Sequence, residues 1–221
     1  MTSLATSPTT TSTEKPMQRH RLAVMASGRG SNLGALLERR DRLAADFVCV
    51  VSNRDAPALE IGRSAGLEAF HVPARKGEPR EDHEQRIMDT LRSCEVSFVV
   101  LAGYMRILST SFVEQWAGRL VNIHPSLLPA FPGLDTHRAA LERGVKLAGA
   151  TVHFVTPGPV DGGPIIAQRS VPVYAADSED ALASRILGVE HELYADALAD
   201  IFSGRLVLEG DRVIEKASAG R

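Results

Sequence analysis

Cysteine is scarce in this chain, with two in 221 residues, Cys49 and Cys94. They lie far apart in sequence and each borders an apolar run. They read as buried, reduced thiols rather than as a disulfide or a metal pair. Positive charge is not in excess either. Lys plus Arg number 25 against 27 Asp plus Glu, a formal net charge of −2. The basic footprint that a nucleic-acid partner leaves is therefore missing. No apolar run approaches the roughly 20 residues that a membrane-spanning helix needs. The Thr- and Ser-rich residues 1–13 contain no apolar stretch that would make a secretory signal. These absences point to a protein of the cytoplasm that binds neither nucleic acid nor membrane.

What is present is an ordinary globular composition, 44% hydrophobic and 24% charged, in a chain long enough to bury a core. Residues 1–20 are expected to form a disordered Ser/Thr-rich tail and residues 21–221 a single domain without repeat or linker. Short β-branched runs alternate with helical stretches. Strands are expected over 22–26, 47–52, 68–72, 96–102 and 120–124. Helices are expected over 32–40, 57–64, 79–92 and 135–143, with one more opened by the capping-box pair Ser111 and Glu114. This alternation predicts an α/β fold with a mostly parallel, doubly wound sheet. After about Gly149 the pattern changes. Two strand-like segments, 151–155 and 164–173, are separated only by a Pro/Gly-rich loop, a connection that suits antiparallel neighbours. From Asp177 a long helix follows, its apolar stripe running through Leu182, Ile186, Val189, Leu193, Ala197 and Ile201.

Three segments carry chemistry. In Val-Asn-Ile-His-Pro-Ser, residues 121–126, Asn122 and His124 stand two apart at a strand end, so their side chains share a face. Pro125 ends the strand and holds His124 extended. An amide that can hold an oxyanion beside an imidazole that can move a proton supplies two parts of acyl transfer. A capped strand end with a structural His would read the same way. In Ser-Gly-Arg-Gly-Ser-Asn, residues 27–32, a glycine turn leads from the first strand into the first helix. Backbone N–H groups at a helix start suit a phosphate. The third glycine of a dinucleotide fingerprint is replaced by Leu33, so the spacing favours a monophosphate, or a turn that binds nothing, over a dinucleotide. In Asp161-Gly-Gly, the pattern favours Asp161 as a turn residue, with a place beside His124 as the alternative.

These blocks, with Leu-Ala-Gly-Tyr-Met-Arg-Ile-Leu at 101–108 and Thr-Val-His-Phe at 151–154, closely resemble the folate-dependent glycinamide ribonucleotide formyltransferases. The resemblance runs from Arg21 to about Gly204. It implies a Rossmann-like formyltransferase fold and direct transfer of the formyl group of 10-formyltetrahydrofolate to the amino group of 5-phosphoribosylglycinamide in purine synthesis, without a metal. Carried over by motif, Asn122, His124 and Asp161 are the catalytic trio. Gly30, Ser31 and Asn32 hold the substrate phosphate, and Glu190 holds the ribose and glycinamide end. Arg80, Met105, Arg106, Ile107 and Leu108 line the folate site, and His153 supports the trio. The sequence departs from the family pattern in the loop 156–160 and at Leu187. A 10-formyltetrahydrofolate hydrolase and a non-catalytic nucleotide-binding module are the alternatives. Apolar helix faces leave a homodimer open.

Overall fold

A computed structural model describes residues 19–216. Of the tail expected over 1–20, residues 1–18 lie outside the described residues. Arg19 already bonds to Asp46, and His20 opens the first strand.

Seven strands form one sheet: β1 (His20–Met25), β2 (Ala45–Ser52), β3 (Glu68–His71), β4 (Phe98–Leu101), β5 (Leu120–His124), β6 (Leu147–Phe154) and β7 (Ile165–Pro172). Their order is β3-β2-β1-β4-β5-β6-β7. The first five are parallel, and β6 runs antiparallel to both β5 and β7. The expected reversal after Gly149 is therefore present, with β6 beginning four residues earlier than its apolar pattern suggested. A hairpin of β8 (Leu206–Glu209) and β9 (Arg212–Glu215), which the sequence pattern did not reveal, packs Leu206, Leu208 and Val213 onto the core.

Helices cover the sheet unequally. Helices α1 (Ser31–Glu38), α2 (Pro57–Ser64), α5 (Thr136–Glu142) and α6 (Glu179–Phe202) share a core with Val121, Ile123, Val152 and Phe154 of β5 and β6. On the other face, α3 (Arg80–Ser93) and α4 (Thr110–Gln115) bury Ala23, Met25, Cys49, Val99 and Leu101. This second face continues onto β5 and β6 with Asn122, His124, Thr151 and His153, because paired residues share a face and alternate residues return to it. Loops rather than a helix lie beside these polar side chains.

One local reading is corrected and one is extended. Helix α4 is capped by Ser109, whose hydroxyl accepts from the Phe112 N–H, and not by a box starting at Ser111. Only Ser109 has the extended backbone of a cap residue. The expected stripe of α6 faces the core, with Leu182, Ile186, Leu193 and Ala197 buried, and the buried face is wider than that stripe. Val189 and Ile201 are half-buried, while Glu190, Tyr194, Leu198 and Phe202 are buried.

Tyr194 explains the register of that helix. Its ring is fully buried, and its hydroxyl donates to Leu101 O at 2.8 Å, with Val121 O at 3.3 Å. One side chain thus ties α6 to the ends of two adjacent parallel strands, just before the loop that follows β4 and just before Asn122. Tyr194→Phe is expected to lower stability by about 1–2 kcal/mol, the usual result of stranding a buried acceptor, read as a lower urea midpoint with an unchanged slope.

Candidate active site

Strand periodicity brings Asn122 and His124 to one face, and the antiparallel register sets His153 opposite Asn122. The Asn122 amide nitrogen lies 3.2 Å from His153 Nε2. His153 Nδ1 is held by Phe154 O at 2.9 Å, so Nδ1 carries the hydrogen. When the ring is neutral, Nε2 has the lone pair and accepts from Asn122. When it is charged, Nε2–H points to Asp161 Oδ1 at 3.6 Å.

His124 Nε2 donates to Phe131 O at 2.9 Å, and Nδ1 faces Asp161 Oδ2 at 3.3 Å. Both ring nitrogens thus face oxygen acceptors. Asp161 is therefore the meeting point that the turn reading of the sequence did not favour. It is also a turn residue, with φ of 58°. The positive φ of this turn falls on the aspartate and not on Gly162 or Gly163. Gly163 serves for close approach instead, since a Cβ there would sit 1.9 Å from Phe154 O.

Burial pushes the Asp161 carboxyl up, but the facing His153 ring, the Gly133 N–H at 2.8 Å and the His124 ring outweigh that effect. Its pKa lies below the ordinary aspartate value.

A second group forms at the start of α1. Gly30 has φ of 78° and packs so closely on α2 that a Cβ would meet the Ala58 Cα at 2.8 Å. No side chain caps the first turn of α1. Asn32 donates to Glu190 Oε2 at 2.7 Å, and its own Oδ1 is buried without a partner among the described residues. Burial raises the Glu190 pKa, more than the bond from Asn32 lowers it. A third group is the loop after β4. Met105 and Ile107 expose their side chains there, while the Met105 N–H is bonded to Ser27.

The structure thus joins Asn122, His124, His153 and Asp161, and separately joins Asn32 to Glu190. Arg80 is the first residue of α3, and no hydrogen bond or ion pair among the described residues links it to either group. Sequence reasoning gave no role to Ser27, or to the Phe131 carbonyl and Gly133 N–H that brace His124 and Asp161. Ser27 at least stood inside a block already singled out. Backbone groups leave no sequence signal.

The family profile for formyl transferases matches residues 20–198. The chain belongs to the formyl transferase family. This formyl transferase is 44% identical over 188 residues to the phosphoribosylglycinamide formyltransferase of Escherichia coli strain K12, a match covering 84% of this chain and 88% of that one. Its fold matches glycinamide ribonucleotide transformylase 1 from Symbiobacterium toebii with a TM-score of 0.85 and 45% identity, covering 89% of this chain and 94% of that one. A formyltetrahydrofolate deformylase from Pseudomonas syringae pv. tomato is similar at a TM-score of 0.83 and 32% identity, over 90% of this chain and 66% of that one.

The lowered Asp161 pKa fixes the sign of one pH effect. A carboxyl more acidic in the folded state adds stability that is complete above its unfolded value, about 3.9, and is lost as pH falls through the folded value. Urea midpoints of wild type and Asp161→Asn should therefore differ near neutrality and converge below about pH 4. A gap that stays constant with pH would remove the ionic role.

Proposed function

We propose that this formyl transferase moves the formyl group of 10-formyltetrahydrofolate to the amino group of 5-phosphoribosylglycinamide, in the cytoplasm, with residues 21–221 acting as one domain. The observation that carries the reading is the convergence of Asn122, His124 and Asp161. An amide and an imidazole share one polar strand face, and a carboxylate held below the ordinary aspartate pKa lies 3.3 Å from the imidazole, which are groups that direct acyl transfer can use. The greater identity to the glycinamide ribonucleotide enzymes than to the deformylase favours an amine over water as acceptor.

In this mechanism the amine attacks the formyl carbon, and the carbonyl oxygen becomes an oxyanion. The Asn122 amide and protonated His124 donate hydrogen bonds to it. Such a donor is worth about 3–4 kcal/mol in a transition state. Asp161 holds the charge on His124 and takes part in moving the proton from the attacking nitrogen towards folate N10. The C–N10 bond then breaks to leave formylglycinamide ribonucleotide and tetrahydrofolate. His153 orients the Asn122 amide from behind.

The uncapped start of α1, with Gly30, Ser31 and Asn32, is proposed to take the substrate phosphate. Glu190, next to Asn32, is proposed to take the ribose and glycinamide end. The loop carrying Met105, Arg106, Ile107 and Leu108 is proposed to hold the pterin, with Arg80 towards the glutamate end of the folate.

The test is spectrophotometric release of tetrahydrofolate from the formyl donor, with and without the ribonucleotide. Release that requires the ribonucleotide supports transfer. Release in its absence points to hydrolysis, and no release under either condition refutes both. His124→Ala and Asp161→Ala should each lower kcat by about 10²–10⁴-fold while leaving KM within a few-fold, because both act mainly on the transition state. Parallel loss of binding would count against these roles.

A further inference from the structure

We propose that Ser27 is a positioning residue that couples the two substrate sites, so that filling the ribonucleotide site strengthens folate binding and the reverse. The proposal rests on the function above and adds a link that the trio does not contain.

Ser27 lies two residues beyond the end of β1, at the place where strand order reverses, with β2 on one side and β4 on the other. Loops diverge at such a switch point and leave a crevice between them. Ser27 bridges it. Its N–H donates to Gly103 O at 3.1 Å, and its Oγ accepts the Met105 N–H at 2.8 Å. The same hydroxyl donates to Asn53 Oδ1 at 2.5 Å. A hydroxyl has a single proton to give, so the bond to Asn53 aims its lone pairs at Met105. The side chain is only 4% exposed, which leaves little access for water to replace these bonds.

The next residues belong to the proposed phosphate loop, and they have little slack. Gly28 O accepts from Ala58 N at 3.3 Å, and Gly30 is wedged against Ala58. A shift of the phosphate loop therefore reaches Met105 through Ser27 and not through a mobile linker.

The folate-side loop is also anchored at its far end. Both the N–H and the hydroxyl of Ser109 bond to the buried Glu84 of α3. That anchor leads away from the phosphate loop. The two anchors thus make different predictions. Losing either loosens the folate loop, but only loss of Ser27 uncouples it from the ribonucleotide.

The experiment is titration of the full chain with folic acid, which carries no formyl group, in the presence and absence of saturating ribonucleotide. The ratio of the two dissociation constants is the coupling, and linkage makes it the same in both directions. Wild type should give a ratio of about fivefold or more, the lower end of ordinary allosteric coupling. Ser27→Ala should bring the ratio close to one and raise KM for the formyl donor more than it lowers kcat. Ser27→Thr, which keeps the hydroxyl, should restore both. Glu84→Gln should weaken folate binding yet keep the wild-type ratio. Should Ser27→Ala fail to fold, Asn53→Ala leaves Ser27 in place, frees its hydroxyl, and should shift the ratio the same way.

A wild-type ratio of one, or an unchanged ratio in Ser27→Ala or in the substitute Asn53→Ala, overturns the proposal. So does equal uncoupling by Glu84→Gln. Turnover of wild type with both substrates is measured alongside. Failure there refutes the substrate assignment, whereas normal turnover with absent coupling refutes only the role of Ser27.

Discussion

One carboxylate sets the geometry of the site. Asp161 receives the Gly133 N–H and faces both His124 and His153. It does so from a left-handed backbone conformation that an aspartate tolerates better than most residues. Strand β5, the loop after it and strand β6 meet on its two oxygens. The imidazoles reduce the cost of burying the charge, and the charge in turn fixes the rings. The loop containing Phe131 and Gly133 is fastened twice, once to each partner of the His124–Asp161 pair. Neither residue keeps its orientation independently of the other.

The surrounding fold supplies rigid ground for this pair. One face of β5 and β6 is packed against helices, while the other presents its polar side chains to loops. Alternation along a strand makes that division unavoidable once Val121, Ile123, Val152 and Phe154 are committed to the core. Tyr194 then ties α6 to the strands that carry the site. Catalytic groups on strands braced in this way are held more closely than groups on loops alone.

Much of this was legible from the residues. The two-residue spacing of Asn122 and His124 has one meaning on a strand, and Pro125 marked where that strand stops. The short link between the last two long strands required their reversal. What escaped was set by packing and not by local pattern. The place of Asp161 depends on how the loop 155–164 folds back over β5, and a sequence pattern does not encode that path. Ser111 and Ser109 are equally good cap residues in composition, and the buried Glu84 beside Ser109 distinguishes them only in three dimensions. On α6, the apolar stripe faces the core as expected, and the buried face widens to take in Tyr194, whose hydroxyl finds two carbonyls there that the stripe alone did not reveal. The Arg80 assignment came from resemblance alone, and no contact among the described residues ties that side chain to the site.

The reversal of β6 has a consequence for how such a protein can change over evolutionary time. Because β6 returns antiparallel beside β5 after a connection through α5, the proposed catalytic side chains all fall within residues 122–161 of one continuous stretch. The proposed recognition loops, Glu190 apart, are encoded earlier, in residues 27–108. Reaction and recognition therefore occupy separate portions of the coding sequence. Substitutions that alter the accepted substrate can accumulate in the first portion while the second is inherited intact, and a family built this way can acquire new acceptors without reinventing formyl transfer.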